Sequence, residues 1–225
     1  MRQIPLEDGT VVRTLNQTKG RGQRAADWYF EPDKSLALSI LKLWSVDIQP
    51  NPFHLQWVIC CAVLEALSDL GKAAWHIKWP NDIMADGQKV AGLLIEHQFK
   101  GLMQSTVIGV GINVNNTQMP NLPHAASIGQ ILGRAINLEE LYQQMAQRVY
   151  RACHDLDIKQ EPQDLARFNQ HLFLKNTTAQ FQDKNQNVFE GRVERVNQNG
   201  QLLLQTDQGL KSFDVGAIKL LLDFA

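Results

Sequence analysis

The sequence predicts an α+β protein: alternating strands and helices that form an at least partly antiparallel sheet, followed by a small second domain built from strands alone. Up to about residue 175, apolar and β-branched runs alternate with stretches of helical periodicity. From Thr177 onward, short strand-like runs are separated by turns rich in Asp, Asn, Gln and Gly. A segment of about 50 residues buries little core alone, so we expect it to pack on the larger part.

Composition is that of an ordinary globular protein of 225 residues, with 44% hydrophobic and 20% charged residues. The formal net charge of -1 gives no general attraction to nucleic acid or to anionic membranes, so any anion site must be local. No apolar run is long enough to span a bilayer and no signal peptide is evident, which predicts a cytoplasmic protein. The three cysteines form no disulfide framework, and the scattered histidines indicate no zinc site.

The first half of the chain contains two predicted strands and one helix. Residues 10–17 are rich in β-branched residues, and residues 36–44 are apolar enough for a central strand. The stretch Phe53 to Leu70 is apolar nearly all round, with Asn51 and Pro52 before it. It is predicted to be a buried helix.

Three further strands are predicted at residues 76–79, 89–99 and 104–114. An Asp86-Gly87 turn joins the first two in a hairpin, so the sheet is at least partly antiparallel. A helix is predicted from Asn137, which Glu140 supports as part of a capping box. A shorter helix covers about Pro162 to Leu172, and the strands "TTAQFQ", "VFEGRVERV", "QLLLQT" and "LKSFDV" complete the prediction.

A basic, glycine-containing loop reads "NQTKGRGQR" over residues 16–24, within a stretch from Thr10 to Ala26 that lacks any Asp or Glu. Gly20 and Gly22 allow close backbone approach to a ligand, and Arg21 adds a planar cation suited to phosphate or carboxylate. The loop therefore indicates an anion site. A solvated turn and a nonspecific nucleic-acid contact are the alternatives.

Two more motifs carry candidate chemistry. In "KWPND", Lys78 supplies a cation at a strand end, and Asn81 and Asp82 offer oxygens for a metal or a hydroxyl group. In "GVGIN", Gly109 and Gly111 weaken a strand unless something must lie against its backbone. Each motif has an ordinary alternative, which is a surface lysine with a turn in the first case and a β-bulge in the second.

The order "QTKGRGQRAADW", "KWPND", "KVAGLLIE", "GVGIN" and "GRVERVNQNGQLLL" resembles the biotin protein ligases over essentially the whole chain. This resemblance implies a catalytic domain related to class II aminoacyl-tRNA synthetases at residues 1–175, with a mixed sheet flanked by helices, and a Src-homology-type barrel at 176–225. The implied reaction uses ATP and Mg²⁺ to convert biotin to biotinyl-5'-AMP, and then transfers biotin to a lysine of a biotin carboxyl carrier domain.

The resemblance also assigns site residues. It implies that biotin is contacted by Gln17, Arg21, Gly22, Gln23, Lys78 and Gly92, the nucleotide by Trp28, Asn81, Gly111 and Asn113, and magnesium by Asp82. Lys78 and Arg21 are the implied catalytic residues, with Lys78 bridging the reacting groups. Attack of one anion on another requires positioned cations and N–H donors more than a general base.

The sequence departs from the family pattern in two places. Gln23, Ala25 and Ala26 replace Arg, Gly and Arg of the usual loop, which leaves fewer cations to hold an adenylate. Relatives also have a strand and a helix opening with Ser-Thr-Asn before this point, a segment expected to be missing here, and no DNA-binding domain is expected. Lipoate or octanoate transfer and noncatalytic binding of biotin or a carrier remain the alternatives, and a homodimer is possible.

Overall fold

The computed structural model describes residues 6–23 and 27–222. A six-stranded sheet with the order β1-β2-β6-β5-β4-β3 forms the larger part, and every pairing within it is antiparallel. Its strands are β1 (Val11–Thr14), β2 (Ser35–Leu43), β3 (Trp75–Lys78), β4 (Asp82–Ala85), β5 (Gln88–Lys100) and β6 (Leu102–Asn113). Among the described residues, parallel pairing occurs only in isolated bridges, such as the one between Ile77 and Leu172, so the sheet is antiparallel rather than mixed as expected.

One face of this sheet packs on helices. The helices are α1 (Pro52–Ser68), α2 (Ile128–Leu132), α3 (Leu138–His154) and α4 (Glu161–Gln170). Helix α1 is buried nearly all round, as its composition predicts, and Asn51 caps it by accepting a hydrogen bond from the Phe53 amide. Helix α3 begins after Asn137, whose side chain accepts from the amides of Glu139 and Glu140, and one apolar face of this helix is buried.

The structure corrects the sequence prediction at the Asp86-Gly87 turn. This turn does not connect the first two predicted strands, because a short strand, β4, lies between them and pairs with both β3 and β5. The four residues of β4 are too few to show a periodic pattern. Helix α2 was also missed, although Ser127 and Gln130 form a capping box at its start.

The C-terminal part is a five-stranded antiparallel sheet with the order β10-β9-β8-β7-β11. Its strands are β7 (Thr178–Asp183), β8 (Val188–Val196), β9 (Leu202–Thr206), β10 (Gly209–Phe213) and β11 (Ile218–Leu221). This sheet, called the barrel below after the predicted fold, packs against the larger part, as the sequence predicts. The Trp79 indole N–H donates to Gly200 O at 2.9 Å, and the Asn169 side chain both donates to Val196 O and accepts from Val196 N.

None of the described helices is long and apolar enough to cross a membrane.

The two hydrogen bonds between the Asn169 side chain and the Val196 backbone, here called the Asn169 clamp, lead to the first testable prediction. Asn169→Ala leaves the buried N–H and C=O of Val196 without these partners, which should lower the free energy of unfolding by about 1–3 kcal/mol. Chemical denaturation followed by circular dichroism measures this change. Asn199→Ala, at an exposed turn of the same barrel, is the matched control and should have little effect. Equal losses in the two variants would show that the clamp does not stabilise the fold.

Candidate functional site

Strand register aligns a row of residues across the whole six-stranded sheet. From β1 to β3 the row contains Thr14, Ala37, Gly111, Gly92, Asp82 and Lys78. The three residues in the middle of the row carry no side chain beyond a Cβ. Because the neighbouring residues Leu38, Val110 and Leu93 are buried in the core, the row forms the floor of a trough with charged residues at one end.

The indole of Trp28 lies on this glycine floor. A Cβ at Gly111 would come within 2.6 Å of the indole ring, and one at Gly92 within 3.1 Å. The Trp28 amide donates to Gly20 O at 3.1 Å, and a Cβ at Gly20 would clash with Trp28 O at 2.5 Å. Glycine is therefore required at Gly20 and Gly111 for close packing rather than for a positive φ. Within the described chain, the buried Trp28 Nε1 has no hydrogen-bond partner.

A cavity of about 560 Å³, here called the trough cavity, lies above the floor. The site residues that were predicted from the sequence and that line it are Gln17, Arg21, Gly22, Gln23, Trp28, Asn81, Asp82, Gly92 and Gly111. Lys78 and Asn113 are not among its lining residues. Ala25 and Ala26, where the loop departs from the family pattern, lie outside the described residues.

Lys89 is the cation that sequence reasoning missed. Its Nζ lies 2.6 Å from Asp82 Oδ1 and 5.5 Å from the centroid of the Trp28 ring, and the residue lines the trough cavity. Its backbone is held by two hydrogen bonds, from Lys89 N to His124 O at 2.8 Å and from Ala126 N to Lys89 O at 3.0 Å. The lysine is thus fixed at the charged end of the floor.

A β-bulge explains why the pattern hid Lys89. Strict alternation along β5 would place Lys89 on the face opposite Gly92, with the core residue Leu93. Ile83 pairs with Ala91 and Met84 pairs with Lys89, so Val90 is an extra residue in β5. Val90 and Ala91 are both 0% exposed, which breaks the alternation. The sequence contains the lysine of "KVAGLLIE", but no sequence pattern indicates the bulge that turns it toward the cavity.

Lys78 and Asn113 lie outside the lining of the trough cavity. Lys78 Nζ lies 3.5 Å from Asp82 Oδ2, on the far side of that carboxylate from the trough cavity, and lines two smaller cavities. The Asn113 amide is only 4% exposed and donates to Ala126 O at 3.3 Å. Asn113 therefore supports the segment that holds Lys89, and this geometry does not favour a direct contact with adenosine.

The charges around the trough cavity favour an anionic ligand. Its cationic lining residues are Arg13, Lys19, Arg21 and Lys89, and its acidic ones are Asp27, Asp82 and Glu96. The backbones of Arg21 and Asp27 form an isolated antiparallel β-bridge across the base of the basic loop. The three described cysteines are all buried. Burial raises the pKa of Cys60 well above its ordinary value and that of Cys61 and Cys153 to about 12, which disfavours thiolate chemistry at all three.

The sequence profile of the biotin/lipoate A/B protein ligase family matches residues 1–113, just over half of the chain. The chain belongs to this family. Its basic loop, "KWPND" motif and glycine floor all fall within the matched residues, so the trough cavity is built almost entirely from the family region.

Curated relatives are similar at moderate identity. The chain is 27% identical over 220 residues to the bifunctional ligase/repressor BirA of Bacillus subtilis, and the match covers 95% of this chain and 66% of that protein. It is 32% identical over 125 residues to the biotin–[acetyl-CoA-carboxylase] ligase of Mycobacterium tuberculosis, covering 54% of this chain and 45% of that protein. The chain thus spans about two thirds of the length of the Bacillus relative.

The fold is shared with solved biotin protein ligases. A biotin protein ligase from Aquifex aeolicus, solved in complex with biotin and ATP, matches with a TM-score of 0.80 at 23% identity, over 97% of this chain and 91% of that one. The likeness confirms the α+β fold, with its two antiparallel sheets and flanking helices.

Packing of Trp28 on the floor gives a second prediction. Gly111→Ala should displace the indole, because the new methyl group would lie 2.6 to 2.9 Å from the ring. The displaced Trp28 should add a red-shifted component to the intrinsic fluorescence, and the shift should vanish in a Trp28→Phe background. Gly109→Ala is the control, since the nearest atom to its Cβ would be Leu94 O at 3.3 Å. Identical spectra for the two alanine variants would contradict the described packing.

Proposed function

We propose that this chain activates biotin with ATP to give biotinyl-5'-AMP and transfers the biotinyl group to a lysine of a biotin carboxyl carrier domain. The observation that carries the proposal is the trough cavity of a family member, in which the glycine floor under the Trp28 indole ends at the Lys89–Asp82 pair. A compact ring system with a carboxylate tail suits a flat floor that leads to a fixed cation.

The trough offers separate places for the two ends of biotin. The Trp28 indole covers Gly111 and Gly92, so a ring system would lie against this indole and over Ala37 and Gly109. Gln17 supplies polar atoms at the rim. The carboxylate tail would then point to the charged end of the floor. In this arrangement Lys89 takes the bridging role that the sequence resemblance assigns to Lys78.

A second cavity, here called the nucleotide cavity, supports binding of the nucleotide. It has a volume of about 410 Å³ and lies between β4, residues 121–125 and the C-terminal strand β11. Lys78, Lys89 and Lys219 all line it, and its described lining residues include no Asp or Glu. Three ammonium groups around one cavity favour a polyphosphate, and Lys89 is shared with the trough cavity. We infer that the α-phosphate lies near Lys89, with the pyrophosphate portion toward Lys78 and Lys219.

The chemistry of the first step follows from these charges. A biotin carboxylate oxygen forms a bond to the α-phosphorus, the bond to the bridging oxygen breaks, and pyrophosphate leaves with that electron pair. Two anions must approach each other, so the fixed ammonium of Lys89 and the guanidinium of Arg21 lower the barrier by neutralising charge in place. No general base is needed because the attacking carboxylate is already ionised.

Magnesium does not fit Asp82 in this arrangement. The two oxygens of Asp82 face Lys89 and Lys78, at 2.6 and 3.5 Å, and a divalent cation between two ammonium groups would be repelled. The described residues contain no cluster of three or more His, Cys, Asp or Glu that could hold a metal ion. We therefore assign no step to protein-bound magnesium. Magnesium ions commonly bind to nucleotide phosphates, which is how the ion would enter.

Several further assignments belong to the same proposal. Residues 1–175 are the catalytic unit and residues 176–225 the barrel, and the buried, unbridged cysteines are compatible with a cytoplasmic protein. The partner is a biotin carboxyl carrier domain, with no role for nucleic acid or membrane. A homodimer remains a prediction.

Lys89 gives the test of the proposal. Lys89→Met should reduce biotin-dependent exchange of labelled pyrophosphate into ATP by about a hundredfold, because the variant loses the fixed cation at the reacting phosphate. Lys100→Met, an exposed lysine on the same strand, is the matched control and should leave exchange unchanged. We expect a smaller loss for Lys78→Met, which removes only a contact to the outer phosphates.

Two outcomes would overturn the proposal. Exchange supported by lipoate or octanoate and not by biotin would make the chain a ligase of the related acids. Biotin binding measured by calorimetry, without any exchange in the wild-type chain, would make it a binding module. Undiminished exchange in Lys89→Met would preserve the activity and remove Lys89 from the mechanism.

A further inference from the structure

A third cavity, of about 220 Å³, lies between the six-stranded sheet and the barrel. We call it the junction cavity. Most of its walls are apolar, and they include Trp79, Leu172, Phe173, Phe181, Leu202 and Ile218. Its polar lining residues are Gln23, Lys78, Asp82 and Lys219.

The junction cavity adjoins the trough cavity. Gln23 and Asp82 line both of them, so these two residues form the boundary between the two spaces. Gln23 lies in the basic loop, and Asp82 is the carboxylate bonded to Lys89. The inner end of the junction cavity therefore meets the trough at the place where the proposed acyl phosphate would be formed.

The residues that line the junction cavity indicate which kind of group can bind in it. Long apolar walls from both parts of the chain are unsuited to a phosphate, which is better served by the three lysines of the nucleotide cavity. They suit an aliphatic stem with a polar tip, which is the shape of a lysine side chain. Asp82 and the Gln23 amide at the inner end provide acceptors for the amine.

We infer that the junction cavity admits the acceptor lysine of the carrier domain and guides its amine past Gln23 and Asp82 to the acyl-adenylate. The inference rests on the proposed function. It gives the barrel a specific role, since β8, β9 and β11 supply walls of the passage.

The transfer step balances as follows. The lone pair of the neutral amine attacks the biotinyl carbonyl carbon, and a C–N bond forms. The bond from that carbon to the phosphate oxygen breaks, AMP leaves with the electron pair, and one proton passes to solvent. The nucleophile must be the uncharged amine. The apolar walls and the nearby cations Lys78 and Lys219 disfavour an ammonium ion in the cavity, and the charge of Asp82 is already paired with Lys78 and Lys89.

Val215→Trp tests the passage. Val215 is half-buried, lies outside the strands, and lines the junction cavity but neither the trough nor the nucleotide cavity. An indole there should fill the passage and slow transfer from preformed biotinyl-5'-AMP to a carrier domain at least about tenfold. Biotin-dependent pyrophosphate exchange should stay within about twofold of the wild-type rate, since the adenylation site is untouched. Val215→Ala, which widens the passage, should retain transfer.

Each outcome separates this inference from the proposed function. Normal transfer by a folded Val215→Trp would overturn the passage. Parallel loss of exchange and transfer would instead place the nucleotide in the junction cavity. Absence of exchange in the wild-type chain would refute the proposed function itself.

A measurement on the wild-type chain covers the case in which Val215→Trp does not fold. Aminolysis of biotinyl-5'-AMP by a linear alkylamine should exceed that by a branched amine of equal basicity when the protein is present, and not in its absence. Equal acceleration of the two amines by the protein would overturn the inference.

Discussion

The pairing of Gly111 with Gly92 across β6 and β5 is the constraint on which the site depends. It removes side chains from the centre of the exposed sheet face. The indole of Trp28 fits there because residue 111 is glycine, and Gly92 relieves a further tight contact. The same row places Asp82 next to Gly92, so the floor ends at a carboxylate. The other face of these strands is held in the core by Leu38, Val110 and neighbouring residues, so the register is fixed by burial.

One extra residue, Val90, then determines which lysine serves the trough. The bulge turns Lys89 toward Asp82 and the floor, while the segment around Ala126 holds its backbone from the other side. Lys78 reaches the same carboxylate from the opposite side and borders the nucleotide and junction cavities. Asp82 therefore sets the spacing of two cations. In the proposed reaction, Lys89 serves the biotin carboxylate and the α-phosphate, and Lys78 serves the phosphates that leave.

Much of the fold could be predicted from the sequence, because its signals are local. The caps at Asn51 and Asn137 and the buried character of α1 depend on residues close together in the chain. The glycines of the floor could be recognised because glycine in a strand is costly without a close neighbour. The identity of that neighbour, Trp28, depends on contacts about 80 residues away in sequence, which no periodic pattern records.

The remaining features required tertiary information. Strand β4 is too short for periodicity, the bulge at Val90 reverses the expected direction of Lys89, and Asn113 turns inward to the Ala126 carbonyl. The order of motifs does not distinguish the role of Lys89 from that of Lys78, since both lysines lie close to Asp82. The junction cavity exists only when the barrel packs on the sheet, so neither part of the sequence indicates it alone.

The central claim is that the trough of this chain joins biotin to AMP. Mass spectrometry of a single-turnover mixture of the 225-residue chain with stoichiometric biotin and excess ATP tests it most directly. The account predicts biotinyl-5'-AMP approaching one equivalent per chain, with pyrophosphate released in the same amount. Folded protein that binds both biotin and ATP and forms no biotinyl-5'-AMP would contradict it.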